Sequence, residues 1–162
     1  MYRKEKLGRA ILFACAAAAI LIGVALIVFF VHTVRLRNEF RMTRIRINEV
    51  MCASDLERCT LQCGDETLPL TQPSLTYYNM YLNSPYTLVY NRRRAPQTEQ
   101  TITLRLQGGT LSLTGLEDGT AVNVCWESGG KTLSYTVRNE AQTFTQLTAY
   151  FKTCRSRAGK TE

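Results

Sequence analysis

Thr101-Ile102-Thr103-Leu104-Arg105-Leu106-Gln107-Gly108-Gly109-Thr110-Leu111-Ser112-Leu113 decides the fold class. Apolar and polar residues alternate on both sides of a Gly-Gly pair. A period of two belongs to a half-buried strand, and paired glycines supply the backbone freedom of a hairpin turn. The pattern extends outward in both directions. Downstream, Ala121-Val122-Asn123-Val124-Cys125-Trp126 alternates again, and Gly129-Gly130 turns it into Thr132-Leu133-Ser134-Tyr135-Thr136-Val137. Upstream, the stretches 75–82 and 86–90 are rich in Tyr, Thr and Leu, and residues 144–151 close the series. Short strands at this spacing predict an all-β sandwich, jelly-roll-like, over residues 61–154.

The other end of the chain is different. Residues 10–31 are an unbroken apolar run of 22 residues without a charge. As a helix the run spans roughly 33 Å, enough for a bilayer core of about 30 Å. It is longer than the apolar region of a cleavable signal peptide, and its small residues lie early rather than at its end. The reading is an uncleaved single transmembrane helix. Cys15 lies inside the run as a small apolar filler.

The charge is equally localised. The chain carries a formal +7. Residues 1–46 hold nine basic side chains against two acidic ones, and the remainder balances eleven against eleven. A basic nucleic-acid-binding face on the folded domain is therefore not expected. The partner expected for the arginines is membrane lipid, at its headgroups. Leu36, Phe40, Thr43, Ile47 and Val50 recur at 4-3-4-3 spacing. They form a short heptad seam, for pairing helices of several chains or for a solvated stalk. On this reading the chain divides into a cytoplasmic tail (1–9), an anchor (10–34), a basic stalk (35–60), a β-sandwich ectodomain (61–154) and a flexible tail (155–162).

Chemistry-bearing constellations are sparse. His32, at the membrane edge, is the sole histidine, which excludes a Ser-His-Asp or Cys-His site in the ectodomain. Cys59-x3-Cys63 lacks the second Cys or His pair of a structural zinc site, so no metal and no cofactor are expected. Asp65-Glu66 and Glu117-Asp118 sit beside turn glycines and read as turn residues. A binding protein, not an enzyme, is expected. Arg92, Arg93 and Arg94 form a cationic cluster between strands, suited to an acidic partner. Tyr77 and Tyr78 open a run of five tyrosines, a residue type enriched at interfaces.

Five cysteines follow the anchor: Cys52, Cys59, Cys63, Cys125 and Cys154. That density fits an oxidising compartment. With the folded mass on the C-terminal side of the run, the expectation is a cytoplasmic N-terminus and an extracellular C-terminal domain. Cys52 is the candidate for an interchain bond or a free thiol. The other four then supply two bridges, with three connectivities open.

In order and spacing, three stretches resemble the tumour necrosis factor (TNF) ligand superfamily. Ser84-Pro85-Tyr86-Thr87-Leu88-Val89-Tyr90 is similar to the family's G-L-Y-L-I-Y strand, with its glycine replaced. Gly108 to Leu113, followed by Glu117 to Val124, resembles its G-G-x-x-x-L-x-x-G-D-x-x-x-V segment. Thr143-Phe144-Thr145-Gln146-Leu147 stands where its closing strand falls, without the glycine. The resemblance covers about half the chain. It implies a jelly-roll that forms a homotrimer and engages a cell-surface protein receptor. It also implies that Tyr90, and Phe144 beside it, face the trimer interior, with Arg92 to Arg94 facing the receptor.

Two alternatives stand beside it. Cys63 and Cys125 are 62 positions apart, near the spacing of the immunoglobulin inter-sheet disulfide. An apolar N-terminal helix, a stalk and a β domain also resemble a bacterial pilin-like or secretion-accessory envelope protein. Gly8 is similar to a prepilin cleavage site, with Arg9 after it and Phe13 where pilins carry a glutamate.

Overall fold

The computed structural model describes residues 2–90, 97–116 and 119–159. They fall into two compact units, Met1–Arg37 and Asn38–Glu162. Helix α1, Tyr2–Ala53, supplies all of the first unit and opens the second. The second unit continues with a 3-10 turn, Leu56–Arg58, and strands β1, Thr60–Cys63, and β2, Glu66–Pro69. Helix α2, Gln72–Asn83, and strand β3, Thr87–Tyr90, follow. Then come β4, Gln97–Leu106; β5, Gly109–Leu116; β6, Ala121–Ser128; β7, Lys131–Asn139; and α3, Phe144–Ala158.

All seven strands join one antiparallel sheet in the order β2-β1-β4-β5-β6-β7-β3. The central hairpin is the quoted stretch, paired Ile102 to Leu113 and Leu104 to Leu111. Alternation then fixes one apolar face. Leu61, Ile102, Leu104, Leu111, Leu113, Val122, Val124, Trp126, Tyr135 and Val137 are all buried. Partners in register share a face, so these residues point to the same side. The other side carries Thr101, Thr103, Ser112, Thr114, Asn123 and Ser134. Thr101 and Thr114 share a hydrogen bond of 3.0 Å, and Ser134 donates to Asn123 Oδ1 at 2.9 Å.

Among the described residues no second sheet covers the apolar face, which corrects the expected sandwich: three helices cover it instead. The first is the C-terminal part of α1. Phe40, Thr43, Ile47 and Met51 are all under 5 % exposed. The seam expected to meet other chains, or to stand in solvent as a stalk, meets the chain's own sheet. Phe40 packs edge-on against Tyr135, with ring centroids 5.2 Å apart. Thr43, the seam's polar position, shares a 3.0 Å hydrogen bond with the Tyr135 hydroxyl.

The other two helices replace expected strands. Residues 75–82 fall within α2 because Pro73 sits in its first turn and Leu75, Tyr78, Tyr81 and Leu82 recur at helical spacing. The β-propensity of Tyr and Thr is overridden by that buried stripe. Residues 144–151 fall within α3, whose buried residues Phe144, Leu147 and Phe151 are again spaced for a helix. Gln146 Oε1 accepts the Thr143 N–H at 2.9 Å, closing the first turn. Phe144 therefore stands in the core rather than at an oligomer interface. Its ring occupies the space above Gly115, where a Cβ would lie 2.2 Å from Phe144 Cδ1.

Two substitutions test this packing. Ile47→Ala removes the centre of the seam and is expected to cost about 2–5 kcal/mol. Gly115→Ala drives a methyl into the Phe144 ring and is expected to cost about 1–3 kcal/mol. Met42→Ala, at an exposed position of the same helix, should change stability by less than about 0.5 kcal/mol. Urea unfolding followed by Trp126 fluorescence checks all three. Equal losses at positions 42 and 47 would contradict the buried seam.

Candidate functional site

Two regions carry features beyond folding. The first lies in the unit Met1–Arg37. Within α1 the described side chains of the apolar run are almost all exposed, with Leu12 at 71 %, Phe13 at 76 % and Phe30 at 68 %. The helix is long and apolar enough to cross a membrane by length and composition. Bare apolar surface of this extent costs roughly 25 cal/mol per Å² in water, so lipid or protein must cover it.

The second region lies between α2 and α3, where antiparallel packing gathers tyrosines and a thiol. Tyr77 of α2 and Tyr150 of α3 stack, with centroids 3.8 Å apart and planes 11° from parallel. Tyr78 meets both rings edge-on at 5.7 and 5.9 Å. Its hydroxyl donates to the Leu147 carbonyl at 3.3 Å, and the Tyr77 hydroxyl donates to the Gln146 carbonyl at 3.4 Å. Ser74 Oγ lies 3.4 Å from Cys154 Sγ and 2.9 Å from Thr71 Oγ1. Arg155 reaches from α3 to Glu66 of β2 at 2.7 Å. A shallow cavity of about 470 Å³ opens beside Tyr77 and Tyr150, lined also by Ser84, Gln142 and Thr153. Tyr150 also borders a second cavity of about 590 Å³, shared with Cys154 and Arg157.

Burial governs the acid–base state here. It pushes the Tyr78 phenol far up, helped by the nearby Cys154 and Cys63 thiols, and it pushes Tyr81 up on its own. The Tyr150 phenol also rises, mainly by desolvation. Cys63 is raised by burial and then by Glu66, and Cys125 by burial and then by Glu127. These thiols stay protonated near neutral pH, the opposite of an activated nucleophile. No group of three potential metal ligands occurs among the described residues.

The expected site residues are dispersed. Arg92, Arg93 and Arg94 lie outside the described residues, as does the side chain of Tyr90. Tyr77 is half-buried at the cavity, and Tyr78 is in the core. All six cysteines are free. Cys59 is buried, its thiol donating to the Asp55 carbonyl at 3.2 Å, and Cys52 is exposed. Cys63 shares a face with Ile102, whereas Cys125 is opposite Ser134 on the polar face, three strands away. The immunoglobulin-type Cys63–Cys125 bridge is thus ruled out by the sheet itself: three inter-strand spacings are roughly 14 Å, beyond the Cα separation a disulfide tolerates. Sequence reasoning did not single out Tyr150, Ser74 or Gln142. Thr143-x-x-Gln146 was the signal that would have placed Tyr150 on a helix.

No family model, curated protein or solved structure matches the chain.

The two buried phenols predict opposite outcomes. The Tyr81 hydroxyl has no hydrogen-bond partner among the described residues, so Tyr81→Phe should leave stability unchanged or raise it by up to about 1 kcal/mol. Tyr78→Phe deletes a bonded hydroxyl and should cost about 1 kcal/mol. Raised folded-state values also set the pH dependence. Stability from both neutral phenols is complete below the ordinary value of 10.0 and is lost as pH climbs through the folded values. Urea midpoints between pH 8 and pH 11 check this. A wild-type midpoint that rose in the alkaline range would contradict it.

Proposed function

We propose that the chain is a single-pass, membrane-anchored, non-enzymatic structural subunit of the pilin-like envelope kind. One observation carries the reading: a single helix, Tyr2–Ala53, supplies both the apolar run and the central strut of the β domain. The strut residues Phe40, Thr43, Ile47 and Met51 lie in the core, and the same helix carries the apolar run. An apolar stretch of helix that continues into a folded head suits lateral assembly, in which apolar runs from several copies cover one another. The link to pilins is an analogy of architecture. Arg9 and Phe13 depart from the pilin pattern at the two positions next to and within the run.

We place the β domain outside the cytosol, with the N-terminus inside. The ground for that side is the number of cysteines after the apolar run, set against the free state of all six thiols in this structure. The partners in this reading are membrane lipid and further copies of the chain.

Amine cross-linking in native membranes tests the assembly. The full chain should give a ladder reaching beyond three copies, and the unit Asn38–Glu162 alone should run as a monomer. A trimer that persists without residues 1–37 would overturn the reading in favour of a TNF-like ligand. Release of the full chain by carbonate would remove the anchor. A membrane-impermeant maleimide applied to whole cells tests the side: the exposed Cys52 should label before the buried Cys59. Labelling only after lysis would place the domain in the cytosol.

A further inference from the structure

We propose that the surface around Tyr77 and Tyr150, between α2 and α3, binds a neutral saccharide chain. The site does not depend on the assembly reading, because it lies wholly within the unit Asn38–Glu162. Its centre is the stacked ring pair, with centroids 3.8 Å apart. Stacking uses the inner face of each ring. Tyr78 meets both rings edge-on, at angles of 87° and 83°, and does not lie flat on either outer face. The pair is also held in place: Tyr77 is tied to Gln146 by its hydroxyl, and Tyr78 is buried behind both. Fixed aromatic faces are what the C–H face of a pyranose packs against, and rigid rings lose little entropy on binding.

The surroundings match the other face of a sugar. None of the nine residues lining the cavity carries a formal charge. Gln142 supplies an amide with both donor and acceptor; Ser84 Oγ accepts the Tyr86 N–H and keeps its proton to donate, and Thr153 Oγ1 donates to the Ala149 carbonyl and keeps its lone pairs to accept. Those groups pair with vicinal sugar hydroxyls. Their neutrality argues against a phosphate or carboxylate ligand, which requires a cation or an array of N–H donors. The shallow opening of about 470 Å³ suits a ring or two of an extended chain rather than an enclosed apolar ligand. The loop that presents Gln142 is itself fixed. Buried Asn139 accepts the backbone N–H groups of Ala141 and Gln142 at 2.9 and 3.1 Å, and donates to Thr87 at 3.1 Å.

Saturation-transfer NMR on the full chain in lipid nanodiscs is the test, because sugar-headed detergents would compete. The probes are cellohexaose, chitohexaose and maltohexaose. At least one should receive saturation at its ring C–H protons, and Tyr150→Leu should weaken that binding about tenfold. Tyr150 also packs on Tyr77 and Tyr78, so two milder variants guard against a folding defect. Gln142→Ala and Thr153→Glu sit at the rim and should each weaken binding while leaving the thermal midpoint unchanged. The proposal is overturned if none of the three probes receives saturation at millimolar concentration. It is equally overturned if binding is indifferent to both rim variants.

Discussion

A sheet that is apolar on one face must have that face covered, and the rest of this structure follows from how it is done. Seven strands present Leu, Ile, Val, Trp and Tyr to one side. The chain supplies no second sheet among the described residues. It supplies three helices, of which the last third of α1 is the first in sequence. Phe40, Ile47 and Met51 fill the face, and Thr43 places its hydroxyl on Tyr135. A buried polar pair of this kind penalises a slipped helix, which would leave the Tyr135 hydroxyl without its partner while Thr43 keeps its bond to the Glu39 carbonyl.

The same helix carries the exposed apolar run. It cannot be cut within residues 40–51 without opening the core. That shared helix is the ground for reading the molecule as an assembly subunit. The comparison of Arg9 and Phe13 with pilins concerns only the apolar run. The shared-helix architecture is independent of both residues.

The other two helices create the second region of interest as a by-product of covering the sheet. Their antiparallel packing brings Tyr77 beside Tyr150 and Ser74 beside Cys154. Burial favours the neutral forms of Tyr78, Tyr150 and Cys63. The cavity beside Tyr77 and Tyr150 is therefore lined by uncharged residues rather than reactive ones. Such a surface recognises shape and hydroxyl patterns, which is why a saccharide fits it better than an ion.

The sequence alone determined the local features. The period-two stretch around Gly108-Gly109 became the β4–β5 hairpin, and the turn at Gly129-Gly130 joined β6 to β7. The apolar run became exposed helix, and of the 4-3-4-3 seam Phe40, Thr43 and Ile47 are buried, whereas Leu36 and Val50 are only half-buried and Met51 takes the next buried position. These are readable because alternation and helical spacing are properties of neighbouring residues. The partner of each stripe was not readable. Tyr- and Thr-rich segments at 75–82 and 144–151 have strand propensity, and it was outweighed by helical spacing of their buried residues, Pro73 and the Thr143–Gln146 capping box together with the cover they give one sheet face. Cys63 and Cys125 sit at a suggestive sequence spacing, yet the order of strands puts them on opposite faces. Strand order, the choice of helices as the second layer and the meeting of Tyr77 with Tyr150 all depend on contacts between distant segments. Only the tertiary structure decides these, because burial energy is set by what covers a surface and not by the residues that form it.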